Sequence, residues 1–165
     1  MRLNLREIIH VPGASLPFQF SLDLSGEDFF GEHPITHPVT VTGSVKNVAD
    51  VLVLEGEARS LLEETCDRCM APFTREKTVP LQFLLAESLE NEEDDDIVLL
   101  EDGEVDVGQL AYTAFILNMD TKHLCSEDCK GLCPGCGANL NVEPCRCKKQ
   151  ADPRWAALEQ LLNKN

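Results

Sequence analysis

Apolar residues recur at every second position through much of the first half of the chain: Leu3 and Leu5, then Phe18, Phe20, Leu22 and Leu24, then Val39, Val41 and Val45. A period of two places alternate side chains on one face of an extended segment, so these runs predict strands with one buried face. Gly43 interrupts the third run and reads as a bulge. Two longer β-rich segments follow, Val51 to Ala58 and Val79 to Leu85, and between them lies Cys66-Asp67-Arg68-Cys69. That turn reads as the tip of a hairpin. The period then changes: Asp106 is positioned to cap a helix through Val107, Leu110, Ala111, Phe115, Ile116 and Leu117, ending near Asn118. Asp152-Pro153 opens a second, short helix in which Trp155, Leu158, Leu161 and Leu162 form one apolar stripe, facing the core or offered to a partner.

The pattern predicts an α+β fold with an acidic, antiparallel β-rich body over residues 1–118, either a meander or a partly closed barrel. Its helix leads into a cysteine-rich module with a terminal helix over 119–165. A length of 165 residues suits one domain, or one domain with a small appended module. Charge favours the second. The formal net charge is −15, yet residues 1–121 carry 7 Lys and Arg against 24 Asp and Glu, whereas residues 122–165 carry 7 against 5. Residues 87–106 hold eleven acidic groups and no basic one, including Glu92 to Asp96, and self-repulsion predicts a solvated loop over about 87–104. The run lacks the alternate ligands and turn glycine of a calcium loop.

All eight cysteines fall in close pairs: Cys66 and Cys69 at the hairpin tip, then Cys125, Cys129, Cys133, Cys136, Cys145 and Cys147. Thiolates two residues apart at a tight turn are what tetrahedral zinc takes, with sulfur about 2.3 Å from the ion. Disulfides are the competing explanation. Against them, the segment after Met1 has only Ile8-Ile9 before His10 and Pro12, with no apolar core of a secretory signal, and no run approaches the roughly 20 residues of a membrane span. A cytoplasmic location follows, where thiols stay reduced and metal is the better account. Cys133-Pro134-Gly135-Cys136-Gly137 forms a knuckle that Cys145 and Cys147 can close into one tetrahedron. Cys125 and Cys129 then match in number the two ligands missing at Cys66 and Cys69. One or two structural zinc ions are expected, one inside the tail and one clamping the tail to the hairpin. The weaker point is the four-residue step from Cys125 to Cys129, a single helical turn that could leave a thiol free.

No enzyme constellation emerges. The four histidines are scattered, there is no glycine-rich phosphate loop, and four-thiolate sites leave no coordination position for water. A thiol redox protein is the enzymatic alternative, but the βαβ context of Cys-x-x-Cys redox folds is absent. No small-molecule substrate is expected.

The order of a β-rich acidic half, a Cys-x-Arg-Cys turn followed by Pro72-Phe73, an acidic loop, Val105-Asp106-Val107-Gly108-Gln109-Leu110, and a tail written Cys125-x3-Cys129-Lys130-Gly131-Leu132-Cys133-Pro134-x-Cys136-Gly137-x-Asn139-Leu140-Asn141, then Cys-x-Cys and Asp152-Pro153-Arg154, resembles the YceD family. The similarity covers nearly the whole chain and is nearest the Gram-positive YlbN-type members. It implies a non-catalytic part in the accumulation of large-subunit ribosomal RNA, hence in ribosome biogenesis, and genes of the family often adjoin that of a small zinc-ribbon ribosomal protein. Some members lack most tail cysteines, which points to the Cys66–Cys69 region as the seat of the shared function.

Two modes of binding follow. If the partner is ribosomal RNA or a pre-ribosomal particle, phosphates must meet Arg68, Lys130, Arg146, Lys148, Lys149 and Arg154, with Lys122 and Arg75 near them. If the protein escorts a basic ribosomal protein, the acidic body is the asset and the cysteine module a zinc-dependent interaction device.

Overall fold

The computed structural model describes residues 1–29, 31–88 and 97–147. Among these residues, seven strands and one helix follow in chain order: β1 (Arg2–Asn4), β2 (Ser15–Leu22), β3 (Val39–Val48), β4 (Val51–Thr65), β5 (Pro72–Ala86), β6 (Ile97–Leu99), β7 (Glu104–Asp106) and α1 (Val107–Leu117). They form an open five-stranded sheet in the order β2-β3-β4-β5-β6 and a small β1-β7 ladder. The expected meander is present over β2 to β5. The barrel is not, because β2 and β6 end the sheet and do not meet.

Alternation built the core as the period of two requires. Val39, Val41 and Val45 of β3, Leu52, Leu54, Ala58 and Leu62 of β4, and Val79, Leu81 and Leu85 of β5 are all buried. Val107, Ala111 and Phe115, four residues apart on one face of α1, are fully buried with them, and Leu5, Leu24 and Ile35 close the sides. Asp106 caps α1 as its side chain accepts the Gln109 N–H at 3.0 Å.

Three expectations are corrected. Gly43 is not a bulge: the β2–β3 and β3–β4 registers run unbroken through Phe18↔Gly43 and Gly43↔Gly56. A side chain there would run into the Glu55 carbonyl and, at 2.7 Å, the Phe18 ring, so the glycine serves close approach. The body is not wholly antiparallel, since β6 pairs with β5 in parallel, Leu84↔Ile97 to Ala86↔Leu99. The acidic loop is also shorter than 87–104. Residues 97–104 hold β6, the buried Leu100 and the start of β7, because the apolar run Ile97-Val98-Leu99-Leu100 has a strand edge to pair with. The acidic run Glu92 to Asp96 and the terminal helix expected from Asp152 lie outside the described residues. No helix among the described residues is long and apolar enough to cross a membrane.

β4 and β5 position the site. Each is 15 residues long, about 50 Å at 3.3 Å per residue, beyond the common strand length. β3 accompanies β4 only as far as Arg59, so residues 60–65 and 72–77 form a two-stranded ribbon. An isolated ribbon is marginally stable in water and needs outside support. Its inward side chains change character to match: Glu64 on β4, and Phe73, Arg75 and Lys77 on β5, continue the core face outward as a mostly charged surface.

Candidate metal centres

At the end of the ribbon the last paired residues are Thr65 and Pro72. The turn between them closes with Met70 N–H donating to the Cys66 carbonyl at 2.8 Å and Cys66 N–H to the Ala71 carbonyl at 3.0 Å, Met70 taking a left-handed φ of 57°. This geometry turns Cys66 and Cys69 to one side, where Cys125 and Cys129 meet them. Cys66 Sγ lies 3.8 Å from Cys129 Sγ, and Cys69 Sγ lies 3.7 Å from Cys125 Sγ. Cys66, Cys69 and Cys129 are buried, with Ala71, Phe73 and Leu124 packed around them.

The second set is built inside the tail. Cys133 N–H donates to the Ala138 carbonyl and Gly137 N–H to the Cys133 carbonyl, both at 2.8 Å, forming a knuckle that needs φ of 71° at Gly137. Cys133 Sγ then lies 3.3 Å from Cys145 Sγ and 3.7 Å from Cys147 Sγ. Cys136, Cys145 and Cys147 are exposed, so this set faces water where the first faces the protein.

Within each set of four, the sulfurs all lie within 4.8 Å of one another, and each set could hold a metal ion. A tetrahedral ion with 2.3 Å bonds to sulfur separates its ligands by about 3.8 Å. The distances of 3.7 and 3.8 Å fit that edge, and 3.3 Å is a tighter version of it. All eight cysteines are free, and none of these separations approaches the ~2.05 Å of a disulfide. The donor set is soft and purely thiolate, which favours zinc over calcium or magnesium.

The thiols are electrostatically unequal. Backbone hydrogen bonding from Cys125, and next from Cys69 and Arg68, draws Cys66 down to about 6, while hydrogen bonds with Cys66 and then Cys129 push Cys125 up to about 12. In the second set the Gly135 and Cys136 amides lower Cys133 to about 6, and hydrogen bonding with Cys133 raises Cys147 to about 12. The first cysteine of each knuckle is therefore a thiolate at neutral pH, cradled by N–H groups.

Backbone and side chains hold the tail to the tip around the first set. Asp67 N–H donates to the His123 carbonyl at 2.8 Å, and His123 N–H returns to Asp67 Oδ2 at 2.7 Å. Leu132 N–H reaches the Arg68 carbonyl at 2.8 Å. Glu64, buried at the edge of the core, accepts from Arg75 Nε at 2.7 Å and pairs with His123 Nδ1 at 2.8 Å. Asp120 accepts from Arg75 at 2.6 Å and Lys77 at 2.9 Å; Lys77 first, then Arg75, hold its carboxyl below the usual range. The charged stretch of the ribbon is thus satisfied by the segment that follows α1.

The eight predicted thiols are brought together in the two expected sets, and the four-residue step from Cys125 to Cys129 strands neither. The basic residues expected to meet phosphate sit in different settings. Arg68 spends Nη1 on the carbonyls of Glu127 and Cys129, at 3.1 and 2.9 Å, which makes it a brace of the tail. Arg146 pairs with Glu143, whereas the Lys130 side chain is exposed. Lys148, Lys149 and Arg154 lie outside the described residues. Sequence reasoning missed Glu64, His123, Asp120 and Asn141. A glutamate on the apolar face of a strand, at the phase of Leu62, was the one available signal.

Comparison with known proteins gives a family and several relatives in sequence. The family model described as large ribosomal RNA subunit accumulation protein YceD matches residues 54–162, spanning both thiol sets. An uncharacterized protein of Mycobacterium tuberculosis is 32% identical over 122 residues, covering 72% of this chain and 59% of the relative. A Zea mays protein named large ribosomal RNA subunit accumulation protein YCED homolog 1, chloroplastic, is 31% identical over 153 residues, 73% of this chain and 52% of that one. The uncharacterized protein YlbN of Bacillus subtilis is 37% identical over 75 residues, 44% of each chain. The chain thus spans about 59% of the length of the mycobacterial relative. No solved structure matches. With more than half of the chain, including the long hairpin's partner strand, its tip and both cysteine sets, inside the matched region, the chain belongs to the YceD family of large ribosomal RNA subunit accumulation proteins.

Proposed function

We propose that the chain is a non-catalytic, cytoplasmic assembly factor for the large ribosomal subunit, in which two zinc ions shape the binding surface. The observation that carries this reading is the family match across residues 54–162. Cys133, Cys136, Cys145 and Cys147 would close the tail on itself. Cys66, Cys69, Cys125 and Cys129 would lock that folded tail onto the hairpin tip. A zinc ion with four thiolates supplies rigidity and no Lewis-acid chemistry, because no position stays open for water or substrate. In this reading Lys122 and Lys130 of the module contact ribosomal RNA, while the acidic body meets protein. The formal charge of −15 supports the second half of that division, since it opposes wrapping by RNA and suits a basic ribosomal protein.

The test is complementation in cells lacking the protein. Wild-type chain should restore the ratio of large-subunit to small-subunit rRNA and should co-sediment with large-subunit precursors. Cys66→Ser with Cys69→Ser should do neither, although the body remains folded. Full rescue by that pair would remove the clamp from the functional account.

A further inference from the structure

An apolar trough runs along the side of α1, and nothing among the described residues covers it. One half is a groove of about 410 Å3 between α1 and the edge of β5, lined by Phe83, Leu110, Ala114 and Leu117. The other half, about 400 Å3, lies between the start of α1 and β6 and is lined by Val98, Leu99 and Leu110. Leu110 belongs to both. Leu117 is 77% exposed and Leu99 48%, large apolar surfaces that a body with a well-filled core leaves in water.

Two further observations say what would cover them. β6 pairs with β5 on one side and ends the sheet, so its outer edge presents backbone groups that have no strand partner among the described residues. The rim of the same half carries three carboxylates, Glu101, Glu104 and Asp106: Asp106 is held by the Met1 ammonium and Arg2, Arg2 also reaches Glu101, and Glu104, which accepts from the Asn4 amide, has no cationic partner among the described residues. An open edge beside an apolar floor suits an extended segment that adds as a strand. A carboxylate rim selects positive charge and repels phosphate.

We propose that this trough docks an extended, lysine- or arginine-rich segment of a partner protein. Alternate apolar side chains would seat on Leu99, Leu110 and Leu117, and the intervening cations would face Glu101 and Glu104. The proposal deepens the assembly-factor reading and rests on it for the biological partner, whereas the chemistry of the trough stands apart from it.

The test uses the full chain and a fluorescent peptide of alternating lysine and valine. A peptide of the same composition with its lysines and valines in separate blocks, an alternating glutamate and valine peptide, and a short single-stranded RNA serve as comparisons. The alternating lysine peptide should bind at least tenfold more tightly than any of the three. Leu99→Lys with Leu117→Lys, both at exposed positions, should weaken it at least tenfold without moving the unfolding midpoint, and Val142→Lys on the cysteine module should leave it unchanged. Equal binding of the block peptide, preference for RNA, or indifference to the double variant would overturn the trough. Sedimentation with large-subunit precursors separates the two claims. Peptide binding that depends on the trough, without co-sedimentation of the wild-type chain, sinks the assembly-factor reading and keeps the trough; undiminished co-sedimentation of a double variant whose peptide binding also persists sinks the trough and keeps the assembly factor.

Discussion

The side-chain amide of Asn141 donates to Cys129 Sγ at 3.2 Å, so a residue from the loop that closes the second thiol set touches a sulfur of the first. The same side chain accepts the Lys130 N–H at 2.8 Å, which fixes its orientation. An N–H donor lowers the basicity of a thiolate and orients it for an ion, and residues in this position behind a ligand typically affect metal affinity 10- to 100-fold. Asn141→Ala should speed zinc loss from the first site about tenfold by that standard while leaving zinc content at two per chain. Chelator competition with a colorimetric zinc indicator reads both. Unchanged release would reduce Asn141 to a loop residue.

Gly131 separates the sets and has a φ of 72°, and a Cβ there would lie 2.9 Å from the Arg68 carbonyl oxygen. Gly137 has a similar φ of 71° with open space around it. Both substitutions to Ala carry left-handed strain of about 1–2 kcal/mol, and only the first also pushes the tail off the hairpin tip. Gly131→Ala should therefore raise amide exchange across residues 123–132 well above the level in Gly137→Ala. Equal effects would mean that the Arg68 contact yields without cost.

Gly135 makes the corresponding case inside the second set, where an added Cβ would sit 2.6 Å from Cys147 Sγ. Gly135→Val should displace that sulfur and lower zinc content from two ions to one, leaving Cys66 and Cys69 protected from alkylation. Retention of two ions would show that the 145–147 segment can shift.

Much of this arrangement was readable in the sequence because it rests on short-range rules. Alternating apolar residues mark β2 to β5, phenylalanine and leucine in β2 and valine and leucine in β3 to β5, an Asp cap and apolar spacing mark α1, and pairs of cysteines count themselves into two tetrahedra. What escaped was set by long-range packing. β6 is three residues, too short for periodicity, and exists because the β5 edge receives it. Gly43 looks like a break until the Phe18 ring and Gly56 are seen to need its missing side chain. Arg68 reads as a free cation beside a cysteine, yet its partners are carbonyls about sixty residues away. Basic residues were assigned to phosphate by charge alone, and charge does not reveal which cations the fold has already used.

Glu64 has a side chain 1% exposed and is paired with both Arg75 and His123. Removing Glu64 leaves His123 without this partner, whereas Arg75 keeps Asp120 and is one-third exposed, which puts the loss below the roughly 3–5 kcal/mol of a fully buried pair, at about 2–3 kcal/mol. Glu64→Ala should lower stability by that amount in denaturant unfolding of the zinc-loaded chain. A loss under about 0.5 kcal/mol, the level of an exposed pair, would contradict the structural role.

Zinc uptake should depend on pH with a definite sign. Ligands must be thiolates, so protons still bound in the metal-free protein are released on binding and affinity rises with pH. Cys66 and Cys133, drawn down to about 6, are already ionised at neutral pH, whereas Cys125 and Cys147, held near 12, are not. Each ion should displace fewer than four protons at pH 7.5, and the loss of affinity should steepen as pH falls through about 6, where the two thiolates also become protonated. Proton release measured with a pH indicator during zinc titration checks this; four protons per ion would mean that the N–H cradles do not form without metal.

The central claim is that four thiols lock the tail to the hairpin while four others fold the tail. It is tested most directly by elemental analysis of native protein alongside its two paired variants. Wild type should carry two zinc ions, Cys133→Ser with Cys136→Ser should keep one and leave Cys66 and Cys69 resistant to alkylation, and Cys66→Ser with Cys69→Ser should keep one while Cys125 and Cys129 become reactive. Native protein with no zinc, whose thiols react only after a reductant is added, would contradict the account.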